Sequence, residues 1–310
     1  MTKSGGSEKT LIVKQRHTAA WYKKKSTPYF FIFPTVILMA ILLVIPVAMV
    51  IRYSFFDNVI INKHPVFVGF DNFVNVLTDK TFKQAIGNTL FFVIFSIIWH
   101  IVVGMTFALL LNTRYLNRTT KSIFRVLYSL PWMFTASVIA ITWRMMFNPN
   151  GIINYFLQNF GWISKNVEWL GDRGTALAAV TFINCWSGYP FYMISILAGL
   201  QGISTELYEA AALDGAGTVQ TFFHITIPQL KPILLSLIML DFVWTLQQFA
   251  LIWMTTGGGP VGASETIATY IYKQGFTKFQ YSTASAAAVL LLLVCTVIAV
   301  FYVRQQKSEA

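Results

Sequence analysis

The sequence predicts an all-α membrane protein that crosses the bilayer several times. Of its 310 residues, 55% are hydrophobic and 11% are charged, whereas about a quarter of the residues in a soluble domain are charged. The apolar residues fall into long runs of roughly 20 to 25 residues. A helix of that length spans the roughly 30 Å of a bilayer's hydrocarbon core. The net charge of +11 is explained by lysine and arginine in cytoplasmic segments, without a nucleic-acid partner.

Six apolar runs are predicted to be transmembrane helices. They cover approximately residues 29–52, 87–111, 123–147, 176–200, 232–255 and 284–303. The first run is too long for a signal peptide and has no small-residue cleavage site, so it is predicted to stay as a span. Pro34 and Pro46 are expected to bend or shorten it. The chain therefore divides into a basic tail (1–28), a first helix (29–52), an outer loop (53–85), a five-helix core (86–303) and a short tail (304–310).

The distribution of lysine and arginine predicts that both termini are cytoplasmic. With the N-terminus inside, the inner segments carry about twice as many of these residues as the outer loops, which is the bias expected of cytoplasmic segments. One inner loop, before the fifth run, departs from this bias because Lys231 is its only basic residue of either type. Something other than topology has therefore shaped its composition.

The motif search predicts no catalytic, nucleotide or metal site in this chain. No glycine is followed directly by lysine, so a Walker A loop is absent from the sequence, as are HExxH and GxSxG. The two cysteines, Cys185 and Cys295, both fall in apolar runs and offer neither a disulfide framework nor metal-ligand spacing. The chain is therefore not expected to be an enzyme or to bind a cofactor of its own.

The loop at residues 204–228 is predicted to form a helix, a turn and a second short helix. Ser204 can cap a helix that runs from Thr205 to about Asp214, and Gly215 is placed to end it in the left-handed conformation. A second helix is expected after Gly217, ending before the proline at 228. Apolar side chains on this loop predict that it docks against a partner.

This loop resembles the EAA loop of ABC importer permeases. The matching residues are Glu209-Ala210-Ala211, then Gly215, and after nine further residues Ile225-Thr226-Ile227-Pro228. The sequence around it is most similar to carbohydrate permeases of the maltose type, over about residues 86–303. The resemblance implies that the loop is the coupling helix that enters a cleft of a separate ATPase. It assigns this docking role to Glu209, Ala210, Ala211, Asp214, Gly215, Ile225 and Pro228.

The resemblance also implies the partners and the location. An ABC importer permease works with an ATPase dimer that binds ATP and Mg²⁺, with a second homologous permease and with an extracytoplasmic solute-binding protein. Such a subunit is a multi-pass protein of a bacterial or archaeal cytoplasmic membrane. The expected function is to form half of the path by which a mono- or oligosaccharide is imported.

Polar side chains within the fifth run predict where the substrate passes. Asp241, Trp244, Thr245 and Gln248 lie at i, i+3, i+4 and i+7, on one helix face. A carboxylate at this depth is costly, about 3 kcal/mol on insertion scales, which marks it as functional. An acid, a hydroxyl, an amide and a flat ring are the groups that bind a sugar.

The fourth and third runs carry similar groups. Asn184, Ser187, Gly188 and Phe191 share one helix face, and Pro190 leaves the Trp186 carbonyl without its usual donor. By the resemblance, these segments line the sugar site of the maltose-type permeases, where a small hydroxyl residue stands in place of Asp241. The predicted substrate path is Trp132, Asn184, Ser187, Gly188, Phe191, Asp241, Trp244, Thr245 and Gln248.

Other interpretations stay open at this point. An acid at 241 suits an amino-group ligand or one with many hydroxyls, and a permease for another polar solute, such as a glycerol-phosphate-type ligand, is an alternative. Asn and Gln within spans also serve helix packing, and His100 is interpreted as a packing residue. An ion-coupled secondary transporter is disfavoured because the sequence shows one intramembrane carboxylate and no repeated halves. A membrane-embedded enzyme is disfavoured because no catalytic constellation is visible.

Overall fold

The structure is a computed structural model. It describes residues 19–57, 59–61, 63–113 and 115–309, so the first eighteen residues of the predicted basic tail lie outside the described residues. The chain divides into two compact units, Met1–Val50 and Ile51–Ala310, each of which is described by itself.

The described residues form an all-α protein, as predicted. Residues 40–44, 222–226 and 273–277 form π-helical turns, and the one recorded pairing of extended backbone is an isolated bridge between Phe56 and Phe67. The helices are α1 (Ala19–Met39), α2 (Ile45–Tyr53), α3 (Asp71–Thr78), α4 (Lys80–Asn112), α5 (Arg118–Met133), α6 (Ala136–Met146), α7 (Ile152–Asn159), α8 (Ala176–Gly202), α9 (Thr205–Leu213), α10 (Thr218–Thr221), α11 (Ile227–Leu246), α12 (Ala250–Thr255), α13 (Ile267–Tyr272) and α14 (Tyr281–Glu309).

Four helical segments of the described chain are long and apolar enough to cross a membrane unaided. They are Tyr29–Tyr53, Lys80–Asn112, Thr218–Leu246 and Tyr281–Arg304, and a bent pair, α5 with α6, makes a fifth. The predicted fourth span is helix α8, whose 27 residues are long enough to cross, but it is not among the segments that are also apolar enough. The count of six spans therefore stays a prediction.

The predicted third span is not one straight helix. Helices α5 and α6 meet at an angle of 95°. Helix α5 continues through Pro131 to Met133. Phe134 and Thr135 then adopt extended backbone, and the Thr135 side chain accepts a hydrogen bond from the Val138 amide. A new helix thus starts with its own cap, in a new direction.

Two prolines expected to interrupt helices lie directly after π-helical turns instead. The Ile45 amide donates to the carbonyl of Ala40, and the Ile227 amide donates to that of Phe222, each five residues back. The wider turn makes room for the ring of the following proline. The prediction that a second loop helix ends before Pro228 was therefore wrong, because this helix continues into α11.

Helices α4, α8 and α11 form the core of the second unit. One cluster of buried side chains joins all three, and Tyr192, Met193, Ile196 and Leu230 are almost fully enclosed within it. Between helices within a bilayer, close van der Waals packing of such side chains is a main source of association, because the lipid is as apolar as they are. This three-helix core is the frame on which the polar groups of the spans are held.

Hydrogen bonds and an ion pair hold the start of α4 and the segment between α12 and α14. Asp79 caps α4 by accepting from the Thr81 amide, and it accepts a second bond, of 2.7 Å, from the Tyr270 hydroxyl. Partial burial alone would raise the pKa of Asp79, but these hydrogen bonds outweigh it and the pKa lies below its usual value. Lys273 pairs with the buried Glu265 at 2.9 Å. The loop between α12 and α14 is therefore an ordered structure.

The closest approach of α4 to α8 depends on a glycine. A Cβ atom added at Gly104 would lie 2.5 Å from Cβ of Tyr192 and 3.0 Å from the Met193 amide nitrogen. We expect Gly104→Ala to lower the melting temperature of the purified protein, since overpacking costs about 1–3 kcal/mol. Gly87→Ala, in the same helix with open space around it, is the matched control and should be neutral or stabilising. Equal melting temperatures for the two variants would contradict this packing.

Candidate functional site

A cavity of about 250 Å³ lies where α4, α5, α8 and α11 face one another. Eight of the nine side chains predicted to line the substrate path surround it: Trp132, Asn184, Ser187, Gly188, Asp241, Trp244, Thr245 and Gln248. The remaining lining residues are His100, Pro131, Phe134, Ala136, Ile139 and Leu251. Groups from three separate runs of the sequence thus meet at one place.

The ninth predicted residue, Phe191, does not line the cavity but packs against two tryptophans that do. Its ring centroid lies 5.8 Å from that of Trp132 and 5.4 Å from that of Trp244. The two tryptophans remain about half exposed, at 52% and 55%. Phe191 therefore holds two flat rings that are available for contact, one from α5 and one from α11.

A hydrogen-bonded network crosses the cavity floor. His100 Nδ1 lies 2.8 Å from Asp241 Oδ2, and His100 Nε2 lies 3.1 Å from the backbone carbonyl oxygen of Asn184. The Thr245 hydroxyl donates to Asp241 Oδ1 at 2.7 Å, and the Asn184 side-chain amide donates to the Ser96 hydroxyl at 2.9 Å. The network joins α4 to both α8 and α11, with each carboxylate oxygen of Asp241 already holding one partner.

His100 is the residue that the sequence interpretation assigned to packing and that the structure places in the site. It is 2% exposed, and its Nδ1 atom lies 2.8 Å from Oδ2 of Asp241, which is 7% exposed. A signal for this was present in the sequence: a second ionisable residue within a span, in a chain whose spans hold one carboxylate. An intramembrane acid usually has an ionisable partner, and His100 was the available one.

Gly188 makes the position of the histidine ring possible. A Cβ atom at this residue would overlap the imidazole ring of His100. Because Gly188 has no side chain, the imidazole ring of His100 can lie close to the backbone of α8 and reach the Asn184 carbonyl. This is a packing reason for a glycine that the sequence interpretation placed on the substrate-facing helix face.

Two interruptions in the helices border the same cavity. Phe134 lies in the break between α5 and α6, and Ala136 is the first residue of α6. Gln248 lies in the break between α11 and α12. Backbone groups at such breaks lack part of their helical hydrogen bonding, and irregular backbone at membrane depth is tolerated where it lines a cavity. The structure thus brings irregular backbone, polar side chains and aromatic faces together at one point.

The loop at residues 204–228 forms the predicted first helix and turn. The Ser204 hydroxyl accepts from the Glu206 amide, and α9 ends at Leu213 with Asp214 as its cap. Gly215 has φ of +78°, the left-handed conformation that favours glycine. The second helix, α10, begins at Thr218 with Gly217 as its N-cap. The Tyr208 hydroxyl lies 3.2 Å from that of Thr226, which ties the two arms together.

The residues of the EAA-like motif lie mostly on the surface of this loop. Glu209, Ala210, Asp214, Gly215 and Pro228 are exposed, Ile225 is half-buried and Ala211 is buried. Apolar side chains next to them are also exposed, notably Leu213 at 90% and Val219 at 71%. An apolar cavity of about 610 Å³ lies between the arms, lined in part by Tyr208, Val219 and Phe222. The loop therefore presents an unpartnered apolar surface beside two carboxylates.

The hydrogen bond from Thr245 to Asp241 gives a test of the network. Thr245→Val keeps the side-chain shape but leaves Asp241 Oδ1 without this donor in a buried position, which costs about 1–3 kcal/mol. We expect a lower melting temperature of the purified protein. Thr106→Val is the control, since the Thr106 hydroxyl bonds only its own helix, at the Val102 carbonyl, on an exposed face. A melting temperature equal to that of the control variant would show that the bond contributes nothing.

Comparison with known proteins places the chain in a family. Residues 100–308 match the family model described as the inner membrane component of binding-protein-dependent transport systems. The probable ABC transporter permease YurN of Bacillus subtilis is 33% identical over 88% of this chain and 93% of its own length. The trehalose/maltose permease MalF of Thermococcus litoralis is 30% identical, covering 91% and 94% of the two chains. The sn-glycerol-3-phosphate permease UgpA of Escherichia coli is 30% identical, covering 93% and 96%.

A solved structure agrees with these relatives in fold. A chain of a bacterial ABC transporter involved in the import of the acidic polysaccharide alginate superposes with a TM-score of 0.76. It is 25% identical, and the match covers 94% of this chain and 99% of that one. With the helical membrane architecture and the family model agreeing over most of its length, the chain belongs to the inner membrane components of binding-protein-dependent transport systems, and is an ABC transporter permease.

Proposed function

We propose that this permease forms half of the path by which an ATP-driven importer carries a carbohydrate across the cytoplasmic membrane. The cavity at α4, α5, α8 and α11 is the place where the sugar passes. The relatives named for trehalose and maltose transport and for import of a polysaccharide support a sugar-type substrate. The residues of the cavity support the same class independently.

The observation that carries the proposal is the pairing of hydrogen-bonding groups with aromatic faces. A pyranose presents hydroxyls around its edge and an apolar C–H surface on its faces. In the cavity, Asp241, Asn184 and Gln248 can bond hydroxyls, while Trp132 and Trp244 offer flat apolar rings. Few polar groups set among aromatic side chains are typical of small-molecule sites.

A glycerol-phosphate-type ligand is the second candidate, because UgpA is similar over nearly the whole chain. A phosphate is recognised by lysine, by arginine or by groups of backbone amides. No lysine or arginine is among the described residues that line this cavity. The one basic side chain there, His100, is already bonded to Asp241. The cavity therefore favours the carbohydrate over the phosphate ester.

Trp244 provides the first test of this function. We expect Trp244→Ala to raise the KM for sugar uptake at least tenfold, a loss of about 1.4 kcal/mol or more, because the ring contact with the sugar is removed. Uptake of labelled sugar into proteoliposomes that hold the complete transporter is the measurement. Trp99→Ala is the control, since Trp99 is similarly exposed on α4 and lies outside the cavity. Equal KM values for the two variants would place the sugar elsewhere.

The proposed complex contains a separate ATPase dimer, a second permease and an extracytoplasmic solute-binding protein. The loop at residues 204–228 is the surface proposed to contact the ATPase. ATP and Mg²⁺ are bound by the ATPase itself. The exposed apolar residues of this loop, with Glu209 and Asp214 beside them, support a docked partner, because such surface is unfavourable in water. Both termini are proposed to be cytoplasmic, which places this loop on the same side as the ATPase.

The proposed mechanism is alternating access. Closure of the ATPase dimer on ATP moves α9, and α9 is covalently continuous with the core through α8 on one side and α10–α11 on the other. The continuous helix from Thr218 to Leu246 joins the docking loop directly to Asp241. A displacement of the loop can therefore reach the cavity along one rigid element. Hydrolysis then returns the path to its inward-facing state.

Gly215 provides the second test of this function. We expect Gly215→Val to reduce co-purification of the ATPase and to lower uptake several-fold, because a β-branched residue in the left-handed conformation is strained and shifts the two arms. Gly217→Val is the control, since Gly217 has φ of −73° and open space around it. Measurements are the amount of ATPase retained by tagged permease and the rate of sugar uptake. Normal values for Gly215→Val would show that this turn does not position the docking surface.

A further inference from the structure

The protons of the His100–Asp241 pair can be counted from its contacts. A backbone carbonyl only accepts hydrogen bonds, so the 3.1 Å contact with the Asn184 oxygen requires a hydrogen on His100 Nε2. The 2.8 Å contact between His100 Nδ1 and Asp241 Oδ2 requires a second hydrogen between those two atoms. A neutral imidazole beside an ionised carboxylate carries only one of these two hydrogens.

The second hydrogen makes the pair neutral as a unit. If it resides on Nδ1, an imidazolium faces a carboxylate, and if it resides on Oδ2, an imidazole faces a carboxylic acid. Both arrangements have no net charge. The arrangement with one hydrogen fewer has a charge of −1 and leaves a lone pair directed at another lone pair, at the Asn184 carbonyl or at Asp241.

The hydroxyls of Thr245 and Tyr192 are hydrogen-bond donors near Asp241, but among the described residues that line the cavity only His100 can carry an opposite charge. The side chains of His100 and Asp241 are 3% and 9% exposed, and no other acidic or basic side chain lines the described cavity. Removing one partner of a buried pair is strongly destabilising because it leaves a buried charge unpaired. A neutral pair is therefore the arrangement that this environment supports.

We propose that His100 sets the charge selectivity of the cavity by neutralising Asp241. The pair then acts as a hydrogen-bonding surface without net charge, so the cavity selects an uncharged polyhydroxylated ligand over an amino sugar. This inference rests on the proposed sugar path and narrows it, since an acid alone would also suit a cationic ligand. His100 is a positioning residue here: it acts through Asp241, and the remaining lone pairs of Asp241 and Thr245 accept the ligand hydroxyls.

The first measurement is spectroscopic and needs no ligand. The complete transporter is labelled with ¹⁵N in its histidines and ¹³C in its aspartate carboxyls, and the two sites are assigned by difference from His100→Gln and Asp241→Asn. The proposal predicts shifts that place two hydrogens on the pair at neutral pH, one of them on Nε2. Shifts of a singly protonated imidazole beside an ionised carboxylate would overturn it.

The second measurement is sugar binding to the purified transporter without its solute-binding protein, followed by saturation-transfer NMR. Glucose and glucosamine are the probes, because they differ by one hydroxyl replaced with an ammonium group. In His100→Gln, Asp241 lacks its positively charged partner, and an ammonium group on the ligand can supply that charge, so the preference for glucosamine over glucose should rise about tenfold, which corresponds to about 1.4 kcal/mol. The double variant His100→Gln/Asp241→Asn removes the charge and should return the ratio to near that of the wild type.

The outcomes separate this inference from the function it rests on. If neither sugar binds the wild type, the proposed sugar path fails and the selectivity fails with it, while the labelled spectra still decide the charge of the pair. If both sugars bind but all variants change the two affinities in parallel, the pair is only a packing device and the inference is wrong. A rise in the ratio in His100→Gln that the double variant reverses supports it, because a purely structural defect would not be reversed by a second substitution.

Discussion

The hydrogen bonds of His100 join three helices that lie far apart along the chain. Its ring bonds the Asp241 side chain of α11 on one side and the Asn184 carbonyl of α8 on the other, from a position in the middle of α4. The apolar core below these residues packs the same three helices, but packing alone does not specify which polar groups face each other. The ring does so, and the space for it depends on Gly188. The position of Asp241, and with it the polarity of the cavity, follows from this arrangement.

The other polar and aromatic groups are arranged around that point by breaks in the helices. The capped restart of the chain at Thr135 and the interruption between α11 and α12 bring Phe134 and Gln248 to the cavity edge. Straight helices would have carried these residues past it. By contrast, the helix that begins at Thr218 stays continuous through Pro228 as far as Leu246. The chain is thus interrupted at the cavity and continuous between the cavity and the loop that we propose as the ATPase contact.

Much of this arrangement was predictable from local patterns in the sequence. Helical spacing grouped Asp241, Trp244 and Thr245 on one face, and the end of α9 at Asp214 followed from a serine cap and a glycine stop. These are short-range effects, within about two helical turns. The positions of the π-helical turns before Pro46 and Pro228 were not predictable in this way, because a proline inside a helix can be accommodated or can end it, and the neighbouring packing decides which.

The contact between His100 and Asp241 was not predictable for a related reason. A histidine within an apolar helix has no periodic pattern that reveals its partner, and 141 residues separate it from Asp241. The predicted fourth span shows a second difficulty. The polar residues that make α8 a candidate for the substrate path also make it less apolar than the other predicted spans, so length and apolarity alone do not establish it as a span.

The most direct test of the account is a cryo-EM structure of the complete transporter, trapped with its sugar between outward-facing and inward-facing states. The account predicts density for the sugar within the cavity, with a ring face against Trp132 or Trp244 and a hydroxyl within hydrogen-bond distance of Asp241. The carboxylate should still bond His100. Sugar density confined to the sister permease, with the cavity of this chain closed, would contradict it.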